Sequence, residues 1–155
     1  RHADVELFTE RPSNIELVRL AGKPIDSVKL RVALDVPFRL VFSRIQRKAF
    51  TIVLQKSPSA WGYIGSGYRD AKGDLYIPGQ SNGNFATMIE SAEPGIHRFV
   101  AIGMQNEPPV NLSRYARDEM ALDISAVSAI SSHLKSTDKA KFHIVFCELL
   151  IERAQ

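Results

Sequence analysis

Residues 141–152 read KFHIVFCELLIE, and this stretch decides the fold. Apolar side chains occupy both phases of its two-residue repeat, which is typical of a strand that is buried on both faces. Such a strand belongs in the middle of a sheet rather than at its edge. Cys147 lies within it and is the only cysteine of the chain, so it cannot form an internal disulfide. We interpret it as a small buried hydrophobe.

Further strands are predicted upstream of this one. Residues 28–34 carry apolar side chains at the even positions and mostly charged ones at the odd positions, which indicates a strand with one buried and one solvent-exposed face. Residues 38–42 and 49–55 are predicted to follow as the second and third strands of an antiparallel set. On the third strand, the apolar phase from Phe50 to Leu54 is expected to face the core.

Glycine and aspartate positions mark the turns. Residues 61–68 predict a strand loosened by three glycines, and the turn residues at 70–73 lead into a short strand at 74–77, so a hairpin is expected here. One helix is predicted after Asp123, which is placed to cap it, because apolar residues recur beyond it at helical spacing. A shorter helical segment is expected within 113–120.

These elements predict a mainly β fold: an antiparallel, immunoglobulin-like β-sandwich of about seven to nine strands, with one or two short helices before the C-terminal strand. The chain has 155 residues, enough to bury a self-sufficient core. We therefore expect a single domain over residues 1–155, with residues 1–26 as a candidate peripheral N-terminal arm.

The sequence contains no apolar run of the roughly 18 residues that a membrane-spanning helix needs, so no span is predicted. Its first residues show no signal-peptide pattern. Composition leaves the cellular compartment open.

The strongest charge feature is the segment 36–69, which contains no Asp or Glu but many basic and aromatic residues. One interpretation is that the aromatic rings form the core face and the basic side chains the solvated face of the same strands, as the two-residue period favours. The alternative is a surface that binds single-stranded nucleic acid or another polyanion. Three aromatic residues lie among glycines and turn residues, and we expect them to be exposed on a contact surface. The candidate contact residues are Trp61, Tyr63, Tyr68, Arg39, Arg44, Arg47 and Lys48.

No motif points to catalysis, a cofactor or a metal. The four histidines have no metal-ligand spacing with Cys or carboxylate partners, and the glycine-rich run at 62–67 lacks the Gly-Lys-Ser/Thr end of a phosphate loop. We therefore expect a protein that is not an enzyme and binds neither cofactor nor metal. One enzymatic hypothesis stays open: a small hydrolase whose site assembles His97, Asp74 and Ser66 from distant positions.

Three runs carry a resemblance to a known family: WGYI at 61–64, DAKGDLYIP at 70–78, and a Pro-Gly turn at 94–95 ahead of FVAI at 99–102. Their order, within a region from about Lys29 to Ile151, resembles an uncharacterised bacterial immunoglobulin-like β-sandwich domain that is appended to caspase-like peptidases, protein kinases or envelope lipoproteins. The chain departs from it at residues 76–78, where Tyr-Ile-Pro stands and the family often has Phe before the Pro. The resemblance implies an accessory, non-enzymatic module and supplies no catalytic residue.

Together these observations predict a non-catalytic accessory or interaction domain of a bacterial protein, whose partner is another protein. The alternative is a nucleic-acid or polyanion-binding module that uses the segment 36–69.

Overall fold

The computed structural model places the strands of the chain in two sheets. It describes residues 3–7, 30–34, 36, 38–42, 48–65, 67–77, 93–112 and 121–153. The elements are, in chain order, β1 (Ala3–Leu7), β2 (Leu30–Ala33), β3 (Phe38–Phe42), β4 (Phe50–Lys56), β5 (Trp61–Gly65), β6 (Tyr68–Arg69), β7 (Leu75–Ile77), β8 (Gly95–Met104), α1 (Ile124–Lys135), a short 3₁₀ helix (Lys139–Lys141) and β9 (Phe142–Glu152).

The four-stranded sheet has the order β1-β3-β7-β6, and the five-stranded sheet has the order β2-β9-β8-β4-β5. The pairs β1–β3 and β2–β9 are parallel, and the other strand pairs of the described residues are antiparallel. The predicted mainly β class is confirmed for this part of the chain, as is a helix ahead of the last strand.

Strand β9 is central, as the sequence predicts. It lies between β2 and β8 and is in register with β8 from Phe142, opposite Met104, to Ile151, opposite Gly95. Its alternate side chains enter two different cores: Ile144 points into one and Val145 into the other. The side chain of Cys147 lies outside the described part of the structure, so its burial stays a prediction.

The first core lies between the two sheets. Phe38 of β3 and Phe99 of β8 meet edge to face there, with ring centroids 6.3 Å apart. Both sheets contribute to its buried residues, which are Val32, Phe38, Leu40, Val53, Leu75, Phe99, Ala101, Val145, Leu149 and Ile151. One face of the five-stranded sheet is therefore covered by the four-stranded sheet.

The second core lies between the opposite face of the five-stranded sheet and helix α1. Val127, Ile130 and Leu134 of the helix are fully buried against it, as their spacing predicts. Burial of each such side chain contributes about 1.5–3 kcal/mol. Asp123 stands at the N-cap, but the predicted side-chain cap is wrong: its carboxylate makes no capping hydrogen bond, and its backbone carbonyl accepts from Val127 N–H at 3.1 Å.

The predicted antiparallel set of three consecutive strands is also wrong. Strands β2 and β4 belong to the five-stranded sheet and β3 to the other, and none of the three pairs with another. Alternation between sheets lets Val32, Leu40 and Val53 reach the same core from both sides. Burial of these side chains, rather than neighbouring position in the chain, determines the pairing.

The hairpin at 68–77 is confirmed. Strands β6 and β7 pair antiparallel, and the Asp70 carboxylate accepts N–H bonds from Lys72 at 2.9 Å and Asp74 at 3.0 Å. The single strand predicted for 61–68 is instead two, because Gly65 and Gly67 have φ values of 107° and 74° and carry the chain from one sheet to the other.

Two predictions fall on residues outside the described ranges. The helical segment within 113–120 is one of them. The candidate arm over residues 1–26 is the other, apart from Ala3–Leu7, which form β1 at one edge of the four-stranded sheet.

Candidate functional site

Trp61 is a core residue, so its predicted exposure is wrong. Its side chain is 6% exposed and packs in the core beneath α1. The chain just before the helix covers it, because Leu122 N–H donates to the Trp61 carbonyl at 2.8 Å and Leu122 is itself buried. This indole can therefore serve stability but offers little surface to a partner.

Tyr63 and Tyr68 do not share a surface. Tyr63 lies on edge strand β5 and is half-buried against the helix-side core, and this burial raises the pKa of its phenol. Tyr68 lies in the other sheet, where its ring is tilted against Tyr76 with centroids 6.5 Å apart. The three aromatic candidates thus occupy a core, a half-buried edge and a different sheet.

The predicted basic residues are also separated. Arg39 lies on β3 in register with Asp4 of β1, while Arg44 and Arg47 are outside the described residues. Lys48 precedes β4, and its Nζ donates to the Ala140 carbonyl at 3.0 Å. The segment 36–69 contributes strands to both sheets, so its described residues are divided between the two.

A groove of about 580 Å³ lies at the start of β4. Its walls are the first residues of β4, the tyrosine of β5 and the loop that follows β8. We name it the β4 groove, lined by Ala49, Phe50, Thr51, Ile52, Tyr63, Glu107, Pro108, Val110, Asn111 and Leu112.

Phe50 is the exposed aromatic residue of the β4 groove. Its side chain is 39% exposed, whereas Ile52 and Leu54 on the same face of β4 are buried. The prediction that the whole apolar phase faces the core is therefore wrong at Phe50. Ile124, at the first turn of α1, is the other large exposed hydrophobic residue in the described part and lies outside the groove.

The β4 groove exists because β5 is shorter than the strand it pairs with. Strand β5 pairs only with Val53–Lys56 of β4, with an irregular register between Val53 and Leu54, and it ends at Gly65. In the described ranges, Phe50–Ile52 therefore have a strand partner on the β8 side only. The loop 107–112 closes the opposite wall, held by the buried Leu112.

The lining of the groove is mostly apolar and hydrogen-bonding. Glu107 is the only residue with a carboxylate among its lining residues, and none of them is Lys, Arg or His. Tyr63 is the other titratable residue of the lining, and burial raises the pKa of its phenol. The lining also offers apolar surface from Phe50 and Val110, with hydrogen-bonding side chains at Thr51 and Asn111.

His97 belongs to the core between the sheets and is 1% exposed. Its Nε2 lies 2.9 Å from the Glu93 carbonyl and its Nδ1 lies 3.0 Å from the Gln55 amide nitrogen. Because a carbonyl only accepts and an amide N–H donates, the ring is neutral with the proton on Nε2. Burial lowers its pKa, and both nitrogens are already bonded. In the hydrolase hypothesis His97 would act as the base, but neither of its ring nitrogens is left to accept a proton from a serine. The serine of that hypothesis, Ser66, lies outside the described residues.

The described residues contain neither a metal-ligand cluster nor a helix suited to span a membrane. No group of three or more His, Cys, Asp or Glu side chains there could hold a metal ion. No helix in the same ranges has the length and apolar character needed to cross a membrane.

Comparison of the chain with protein-family models, with curated proteins and with solved structures gives no match. The immunoglobulin-like resemblance therefore stays a prediction. The groove was missed from the sequence because exposure of Phe50 depends on where β5 stops. The one local signal for it was the Pro108-Pro109 pair, which is typical of a stiff loop.

Proposed function

We propose that the protein is a non-catalytic interaction domain of a bacterial protein, an immunoglobulin-like β-sandwich that binds an extended segment of another protein in the β4 groove. The shared core between the two sheets supports the sandwich class. The observation that carries the binding role is an exposed phenylalanine on a stretch of strand that, within the described residues, has a strand partner on one side only.

The open side of β4 favours an extended peptide as the ligand. A strand with unpaired backbone groups can accept another strand, which gains main-chain hydrogen bonds along the edge and places alternate side chains in neighbouring pockets. At Phe50–Ile52 the groove supplies such a pocket, between the Phe50 ring and the loop residue Val110. An apolar side chain of the ligand would anchor there.

Phe50 is the residue whose removal tests this proposal. Truncation of an aromatic anchor at a protein interface costs about 1–2 kcal/mol or more, and about 1.4 kcal/mol corresponds to a tenfold loss of affinity. Ile124 is a matched control, because it is also large, apolar and exposed, at 57%.

The experiment selects displayed random dodecapeptides on the immobilised domain and measures the affinity of the best synthetic peptide by fluorescence anisotropy. We expect Phe50→Ala to weaken binding at least about tenfold and Ile124→Ala to leave it unchanged. Backbone amide shifts of ¹⁵N-labelled protein on peptide addition should concentrate in residues 49–52 and 107–112. Selected peptides that bind both variants equally and shift amides elsewhere would refute the groove as the binding site.

A further inference from the structure

From the charges around the β4 groove we infer the chemistry of its ligand: an extended segment with an apolar anchor and acidic residues flanking that anchor. This inference rests on the proposed function, and it adds the charge of the partner. The carrying observation is a lysine cluster at the end of the groove where β4 begins.

The cluster is assembled by tertiary structure from two distant parts of the chain. Lys48 stands two residues before Phe50, so their backbones are at most about 7 Å apart. Its Nζ reaches the Ala140 carbonyl at 3.0 Å. Ala140 lies between Lys139 and Lys141, which are both exposed. Lys48, which directly precedes the groove residue Ala49, therefore contacts a segment that carries two further exposed lysines.

The acidic residues near the cluster do not cancel it. Asp138 caps the 3₁₀ helix by accepting the Ala140 N–H at 3.0 Å, and its carboxylate offsets part of the lysine charge. Glu107 lies in the groove wall. Against these two carboxylates stand Lys48, Lys139 and Lys141, with the helix-end Lys135 nearby in the chain. A surface of net positive charge selects and steers a negatively charged partner.

A peptide fits this pattern better than a nucleic acid does. Nucleic-acid strands carry a phosphate at every nucleotide and bind best to basic grooves with several stacking rings. Here Phe50 is the one exposed aromatic residue among the side chains that the structure describes, and Glu107 would repel a phosphate that followed the groove. A peptide can place a neutral side chain in the groove and carboxylates only beside the lysines.

Three labelled probes test the inference by fluorescence anisotropy at low salt. The first is a nine-residue peptide with Val-Phe-Val at its centre and three acidic residues on either side. The second has lysines in place of those acidic residues, and the third is a fifteen-nucleotide oligo(dT). The variants are Lys139→Ala/Lys141→Ala and, as a charge control on the β6–β7 turn of the other sheet, Lys72→Ala.

We expect the acidic peptide to bind at least about tenfold more tightly than the basic one. The double variant should weaken this binding about two- to thirtyfold, because it removes two exposed charge pairs that each contribute modestly, and Lys72→Ala should leave it unchanged. Far-UV circular dichroism checks that both variants fold.

Three results overturn the inference, and they separate it from the proposed function. If both peptides bind equally and Phe50→Ala weakens both, the groove stands and its charge preference fails. Acidic-peptide binding that Phe50→Ala leaves unchanged removes groove and inference together. If oligo(dT) binds more tightly than the acidic peptide and the double variant loses it, the partner of the cluster is a nucleic acid.

Discussion

Gly67 is a position at which one added methyl group is expected to destabilise the protein strongly. It lies between β5 and β6, where the chain passes from one sheet to the other, and its φ is 74°. A Cβ at this position would lie 2.9 Å from the Tyr76 carbonyl oxygen and 2.9 Å from Leu75 Cδ1. The oxygen belongs to the backbone and Leu75 is buried, so neither can move away cheaply.

The magnitude follows from two separable costs. A left-handed φ costs a non-glycine residue about 1–2 kcal/mol. Steric overlap in a packed core adds about 1–3 kcal/mol, so Gly67→Ala should lower the free energy of unfolding by about 3 kcal/mol. Gly73 has a φ of 92° but open space where a Cβ would stand, so Gly73→Ala should show the first cost alone. Gly62 has neither feature, and Gly62→Ala should be neutral or slightly stabilising.

Urea unfolding followed by tryptophan fluorescence measures all three variants, because Trp61 is the only tryptophan and is buried in the helix-side core. For a chain of this length a loss of about 3 kcal/mol also lowers the melting temperature by about 6–12 °C. Equal destabilisation by Gly67→Ala and Gly73→Ala would show that the close approach of Gly67 to β7 does not exist, and the reasoning would fail.

Two further predictions concern buried polar groups. Burial lowers the pKa of His97 in the folded protein. As the pH falls, the imidazole is therefore protonated first in the unfolded chain, near pH 6.5. The free energy of unfolding should fall below that pH, by at most about 1.4 kcal/mol per pH unit. Urea unfolding at pH 7.5 and 5.5 checks this, and an equally steep fall in His97→Asn would assign the effect to other groups. The buried pair of Arg98 and Glu148, joined at 2.9 Å across β8 and β9, predicts that Arg98→Met costs about 3 kcal/mol and that Arg98→Met/Glu148→Leu recovers much of it. If Arg98→Met/Glu148→Leu is no more stable than Arg98→Met in the same assay, the loss does not come from leaving the Glu148 carboxylate buried without its partner.

Much of the local structure was predictable from the sequence. The run at 142–152 has apolar side chains on both phases of its two-residue repeat, and this predicts a strand buried on both faces. Helix α1 follows from the spacing of Val127, Ile130 and Leu134, and the β6–β7 turn follows from Asp70 and the positive φ of Gly73. In each case the structure is determined by residues within the same helix, strand or turn.

The pairing of strands and the exposure of single side chains were decided only in three dimensions. Trp61 and Phe50 are both aromatic residues at the start of a strand, yet Leu122 from a distant segment covers the first, and the early end of β5 leaves the second open. Lys48 meets Ala140 although 92 positions separate them. The sequence by itself determined which residues avoid water and where the chain turns, because those preferences depend on side-chain chemistry and local backbone angles. Only the tertiary structure decided which apolar residues are buried and which charged residues lie close together, because both depend on contacts between segments far apart in the chain.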